Sequence, residues 1–233
     1  MTVQLHQFDI DWDLPNPSPF CLKLETWLRL AEIEYETVPW VPGASPTSKA
    51  PFVVVDGETI ADSSTIVREL TARFGIQLDA QLDPVQRAQA VLIRRTLEEH
   101  TYFALIRDRW LDDTMWADYR QIIGQTIPAL VRTPVSAFLR RKVRSMVHAQ
   151  GLGRLPQEEV WSRAIEDVDA VLALLGDSPY VFGDAPTSVD AVVYAFFALL
   201  IHPIGRGRLS EHCRKQPALT AYVERMAARV WPS

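Results

Sequence analysis

Ser18 and Cys21 stand three residues apart in "NPSPFCLKLETWLR", with Pro19 between them and a helical apolar spacing that begins at Phe20. A hydroxyl and a thiol at a helix start offer two chemistries. One is plain capping, in which Ser accepts from the free N–H groups of the first turn and Pro is preorganised for the first helical position. The other is thiol activation, because a helix N-terminus favours an anion and a Ser hydroxyl donates to a thiolate held there. Dithiol exchange needs an attacking and a resolving thiol, and Cys21 has no second cysteine in this turn. Cys21 keeps two readings, a packed core residue or a thiol whose pKa the helix start lowers.

Asp62-Ser63 in "IADSSTIVREL" poses the same alternative. Either residue caps the helix that follows, and the same helix end would receive a ligand carboxylate. Thr187-Ser188-Val189-Asp190 has the spacing of an acidic capping box and is read as structure, since the apolar run after it needs satisfied ends. His6, His100, His148, His202 and His212 show no metal-ligand spacing. "GLGR" and "GRGR" lack the strand–turn–helix setting of a nucleotide site.

The elements that must position these residues divide at about residue 80. "VQLHQF" (3–8) and "YETVPW" (35–40) are strand-like and flank a helix over 19–31. After the loop "VPGASPTSKAP", "FVVVDGETIAD" reads as two strands joined by Asp56-Gly57, and a helix runs from Ser63 to a stop at Gly75. From 85 onward the spacing predicts helices over 85–110, 115–131, 134–149, 157–175, 188–201 and 216–229. Residues 1–75 therefore form an α/β unit, 76–84 a linker and 85–233 an all-helical unit.

The chain has 233 residues, a net charge of −5 and 48% hydrophobic residues, a soluble globular composition that disfavours a general nucleic-acid binder. The basic run "FLRRKVR" (138–144) is read as a solvated helical face. Two cysteines are too few for a disulfide framework, and no basic segment joined to an apolar stretch opens the chain, so a reducing, cytoplasmic setting is expected. The longest apolar run, 191–201, is too short to span a bilayer and is read as a core helix.

A β-α-β-β-β-α unit before an all-helical one resembles the glutathione transferases, whose fold is a thioredoxin-like domain followed by a helical domain. "SPFCLKLETWLR", Ala50-Pro51 before the third strand, "IADSSTIVREL" and "GDAPTSVDAVVYAFF" carry the resemblance. With "LEEHTYFALIRDRW" and "AQGLGRLPQEEV" added, the chain is similar to the failed-axon-connections branch, which is related to the metaxins.

The resemblance implies glutathione as co-substrate, with Ser18 or Cys21 acting on its thiol. Ala50, ahead of a cis Pro51, would align the peptide; Asp62 and Ser63 would hold the γ-glutamyl end, and Lys49 the glycyl carboxylate. Tyr102, Arg109 and Trp110 would line an apolar pocket for an electrophile, or else serve ordinary packing and ion pairing between the domains, and a homodimer is expected. The Pro-rich segment 41–49 departs from the family in having no room for a full second helix. That departure keeps a second reading in play, a noncatalytic interaction protein on the same fold.

Overall fold

A computed structural model describes residues 2–232. Four strands, β1 (Val3–Gln7), β2 (Tyr35–Pro39), β3 (Phe52–Val55) and β4 (Glu58–Ala61), form one sheet in the order β2-β1-β3-β4. β1 runs parallel to β2, joined to it through helix α1 (Pro19–Leu30), and antiparallel to β3 with Leu5 opposite Val53. The β3–β4 hairpin turns on Asp56 and Gly57, both at positive φ (49° and 84°), the conformation that Asp-Gly supplies at little steric cost. Helix α2 (Ser63–Phe74) ends at Gly75, whose φ of 63° puts it in the left-handed cap position. Val41–Lys49 forms turns and no helix, as its prolines led us to expect.

The remaining elements are helical: α3 (Pro84–Arg95), α4 (Tyr102–Leu111), α5 (Asp113–Ile123), α6 (Arg132–Gln150), α7 (Gln157–Leu175), α8 (Ser188–Ile201), α9 (Arg208–Arg214) and α10 (Pro217–Val230). Two expectations need correction. The helix expected over 85–110 is broken by a π-helical turn at Thr96–Thr101, and the one expected over 115–131 stops at Ile123 and continues as two 3₁₀ turns. α9 follows "GRGR" and was not anticipated, because seven residues are too few to establish a helical period.

The sheet packs its core of Val3, Leu5, Leu24, Trp27, Val53, Ile66 and Leu70 under α1 and α2. A larger core surrounds α8, which is buried from Val189 to Leu200. The two cores interlock. Leu22 of α1 belongs to the helical cluster, Ala191 of α8 belongs to the sheet cluster, and Trp27 Nε1 donates to Ser188 Oγ at 3.1 Å. These contacts hold α1 against the helical unit, with Trp27 of its second half meeting the start of α8. Among the described residues no helix is long and apolar enough to cross a membrane.

Candidate active site

A cavity of about 1070 Å³ opens between the sheet unit and the helices. Its polar side takes Ser18, Lys23, Lys49, Ala50, Asp62 and Ser63; its other side takes Tyr102, Phe103, Trp110, Tyr119, Leu139 and Met146. Ser18 is the N-cap of α1 and is half-buried. Its Oγ accepts from Cys21 N–H at 3.4 Å, a long bond that leaves the hydroxyl free to donate elsewhere.

Two residues brace the turn that carries Ser18. Buried Asn16 accepts from Ser18 N–H through Oδ1 (3.1 Å) and donates to the Phe8 carbonyl (2.9 Å). Arg109 donates to the Pro17 carbonyl at 2.8 Å. Arg109 is only 2% exposed, lies against the Trp12 and Tyr119 rings, and is absent from the cavity wall. The expectation that Arg109 lines the electrophile pocket is corrected accordingly: its guanidinium acts behind the wall, on the backbone next to Ser18. Tyr102 and Trp110 do face the cavity, with Tyr102 edge-on to Phe20 at 4.9 Å.

Cys21 is fully buried and likewise absent from the wall. Burial pushes its thiol up to about 12, outweighing the Ser18 contact, so it stays protonated at neutral pH. The alternatives left open by the sequence thus separate, with Ser18 at the cavity and Cys21 in the core.

Asp62 caps α2 by accepting from Thr65 N–H at 2.9 Å, at a φ of 74° that an L-residue rarely adopts. The N–H groups of Ser63 and Ser64, in the first turn, have no acceptor within the helix. Ala50-Pro51 is cis, and the β1–β3 ladder starts at Phe52, which leaves Ala50 outside it beside the cavity. Pro51 itself is buried and does not line the wall.

A buried polar cluster beside Ser63 was not anticipated. Lys23 Nζ sits 2.5 Å from Glu98 Oε1 and 3.3 Å from Ser64 Oγ, and Arg94 reaches Ser64 at 3.2 Å. Burial lowers the Lys23 pKa while Glu98 opposes that shift. The π-helical turn carries Glu98, whose side chain is 6% exposed. One signal was present in the sequence: Lys23 interrupts the apolar stripe of α1, where an unpaired charge would be costly.

Models of the glutathione S-transferase N-terminal and C-terminal domains match residues 19–115 and 164–226. An isoprene-epoxide–glutathione S-transferase of Rhodococcus sp. (strain AD45) is 33% identical over 92% of this chain and 93% of its own length. The chain belongs to the glutathione S-transferase family. Failed axon connections of Drosophila melanogaster is 29% identical over 99% of this chain, which spans 58% of that protein, and metaxins match as well. Among solved structures the β-etherase LigF of Sphingobium sp. strain SYK-6 superposes with a TM-score of 0.65 at 18% identity, over 98% of this chain and 96% of LigF. That likeness establishes the shared fold.

Proposed function

We propose that this protein is a glutathione transferase that binds glutathione along the polar side of the cavity and directs its sulfur at an apolar electrophile. The observation that carries this reading is the joining, in one cavity, of Ser18 at the start of α1 with Ala50 and Asp62-Ser63, opposite an aromatic wall. The γ-glutamyl carboxylate would meet the Ser63 hydroxyl and the free N–H groups of α2, and the peptide would lie along Ala50. The sulfur would then rest at Ser18. Its proton leaves to solvent, the Ser18 hydroxyl donates to the thiolate, and the helix end favours the negative charge.

The thiolate forms a C–S bond as the carbon's bond to its leaving atom breaks and that atom takes the electron pair. A small epoxide, the substrate class in the name of the Rhodococcus relative, fits this scheme: the ring oxygen leaves carbon and takes a proton from water. Buried Cys21 supplies no thiolate. A cytoplasmic setting and a dimer accord with this activity.

Calorimetry with millimolar glutathione tests the binding, and an absence of heat would remove the proposal. Ser18→Ala should lower turnover of a halonitrobenzene by about a hundredfold, the scale for losing one donor to a developing anion. Glutathione affinity should stay within about twofold, because the peptide contacts lie elsewhere. Cys21→Ala should leave turnover nearly intact. The turns at Val41–Lys49 favour the noncatalytic reading, since they leave exposed Lys49 alone for the glycyl carboxylate. Absence of both glutathione binding and turnover would support that second reading.

A further inference from the structure

From Tyr119 to Gln157 the chain carries no Asp or Glu, although acidic residues outnumber Lys and Arg by 29 to 24 overall. That stretch builds the outer side of the cavity and includes α6, which holds Arg132, Arg140, Arg141, Lys142 and Arg144. Arg140 has a structural task, bonding the carbonyls of Trp110 (2.7 Å) and Leu111 (3.1 Å) and the Asp113 carboxylate (2.6 Å). Arg141, Lys142 and Arg144 make no side-chain hydrogen bond or ion pair among the described residues, and all three are exposed.

Exposed apolar side chains stand beside these cations, on α6 and on the turn before it. Leu130 is 99% exposed and Phe138 65%, and Val131 is also exposed. Leu130 and Val131 lie in the 3₁₀ turn just before α6 and Phe138 in its second turn, and Arg141 and Lys142 flank Phe138 one turn further on. The opposite face of α6 is the one that meets the protein: Ser136 and Val147 are buried, and Leu139, Val143 and Met146 line the cavity. α6 is therefore amphipathic twice over, with an apolar inner face and an outer face that mixes cations with exposed apolar side chains.

We propose that the outer face of α6 and the turn before it dock this protein onto an anionic lipid surface. Charge complementarity selects the partner's sign, since unpaired cations concentrate here on a chain that is acidic elsewhere. The apolar residues select its state. Leu130 stands clear of the protein, so it enters a soft apolar medium, and an interfacial helix combines just such residues with Lys and Arg. A second copy fits poorly, because a two-fold contact through this face sets cation against cation. Docking in this orientation puts the cavity, on the inner side of the same helix, next to the bilayer where apolar compounds collect.

The test is co-sedimentation of the full chain with vesicles of phosphatidylcholine alone or with a quarter of phosphatidylglycerol. Binding should require the anionic lipid and should fall about tenfold or more at high salt, where charges are screened within a few ångströms. The double variants Leu130→Ser/Phe138→Ser and Arg141→Glu/Lys142→Glu should each lose binding by about tenfold or more, scaled to lost insertion and lost attraction. All four positions are exposed, and unchanged melting curves would confirm that the fold survives. The proposal is overturned if wild-type protein stays in solution with anionic vesicles at low salt. Retention on heparin that ignores Leu130 and Phe138, with no vesicle binding, would make the face a polyanion site and also overturn it. So would self-association in light scattering that Phe138→Ser abolishes.

Discussion

The starts of α1 and α8 look alike in sequence and behave oppositely in the folded chain. Both have a hydroxyl residue at the cap, Ser18 in "NPSPFC" and Thr187 in "APTSVD". The difference lies three residues on. At α8 that position is Asp190, whose carboxylate accepts from Thr187 N–H (2.8 Å), Thr187 Oγ1 (2.9 Å), Val181 N–H (2.9 Å) and the Tyr222 hydroxyl (2.9 Å). At α1 it is Cys21, which brings no acceptor and turns into the core. α8 is closed by its own Asp190 together with Asp79 of the linker, which accepts from Ser188 N–H at 2.8 Å; α1 keeps free bonding capacity at a cavity. A helix start is available to a ligand when no side chain of the protein has already taken its donors.

Removing the closing carboxylate is the strongest way to break this contrast. Asp190→Ala would strand three of these four buried donors, since the Tyr222 hydroxyl keeps the backbone carbonyl of residue 190 (3.2 Å); at about 1 to 3 kcal/mol each, we expect a loss of about 4 kcal/mol in urea unfolding. A loss below about 1 kcal/mol would mean that α8 is not held in this way.

Asp108 of α4 comes next, a buried carboxylate in the interior of its own helix. Burial pushes it up to about 6, although Trp161 and Gln157 donate to it. The folded chain therefore holds this proton across a pH range in which the unfolded chain, with an ordinary carboxylate, has lost it. Its contribution is complete below pH 4 and falls as pH rises through about 6, by about 3 kcal/mol in all. Asp108→Asn should remove that slope when urea midpoints are compared at pH 4 and 7. An identical slope in both proteins would place the buried charge elsewhere.

On the open side, Ser63→Ala should weaken glutathione by about 2 kcal/mol, the worth of one bond to a charged group. Protein stability should change much less, because Asp62, not Ser63, caps α2. Equal losses of affinity and stability would erase the distinction between open and closed starts. The smallest expected effect is on folding in Ser18→Ala, below about 1 kcal/mol, since its capping bond is long.

Local chemistry made much of the frame legible. Alternating Val3 and Leu5, the Asp56-Gly57 turn, the Gly75 stop and the Asp190 box each rest on interactions within a few residues, so the sequence alone determined their form. The resemblance to the glutathione transferases, and no spacing in the chain, marked Ser18, Ala50, Asp62 and Ser63 as a set. The depth of a side chain was not legible, because it depends on what packs over it. Cys21 and Arg109 share their elements with Ser18 and Tyr102, yet both are buried away from the cavity while their neighbours face it. The π-helical turn was hidden as well, since it shifts the helix face without changing the kinds of residue in it, and it carries the Glu98 that pairs with Lys23. What tertiary structure decided is which polar groups find partners across 75 residues of chain and which remain free for a ligand. Burial makes that choice, because an unpaired charge in the core costs more than any local preference can return.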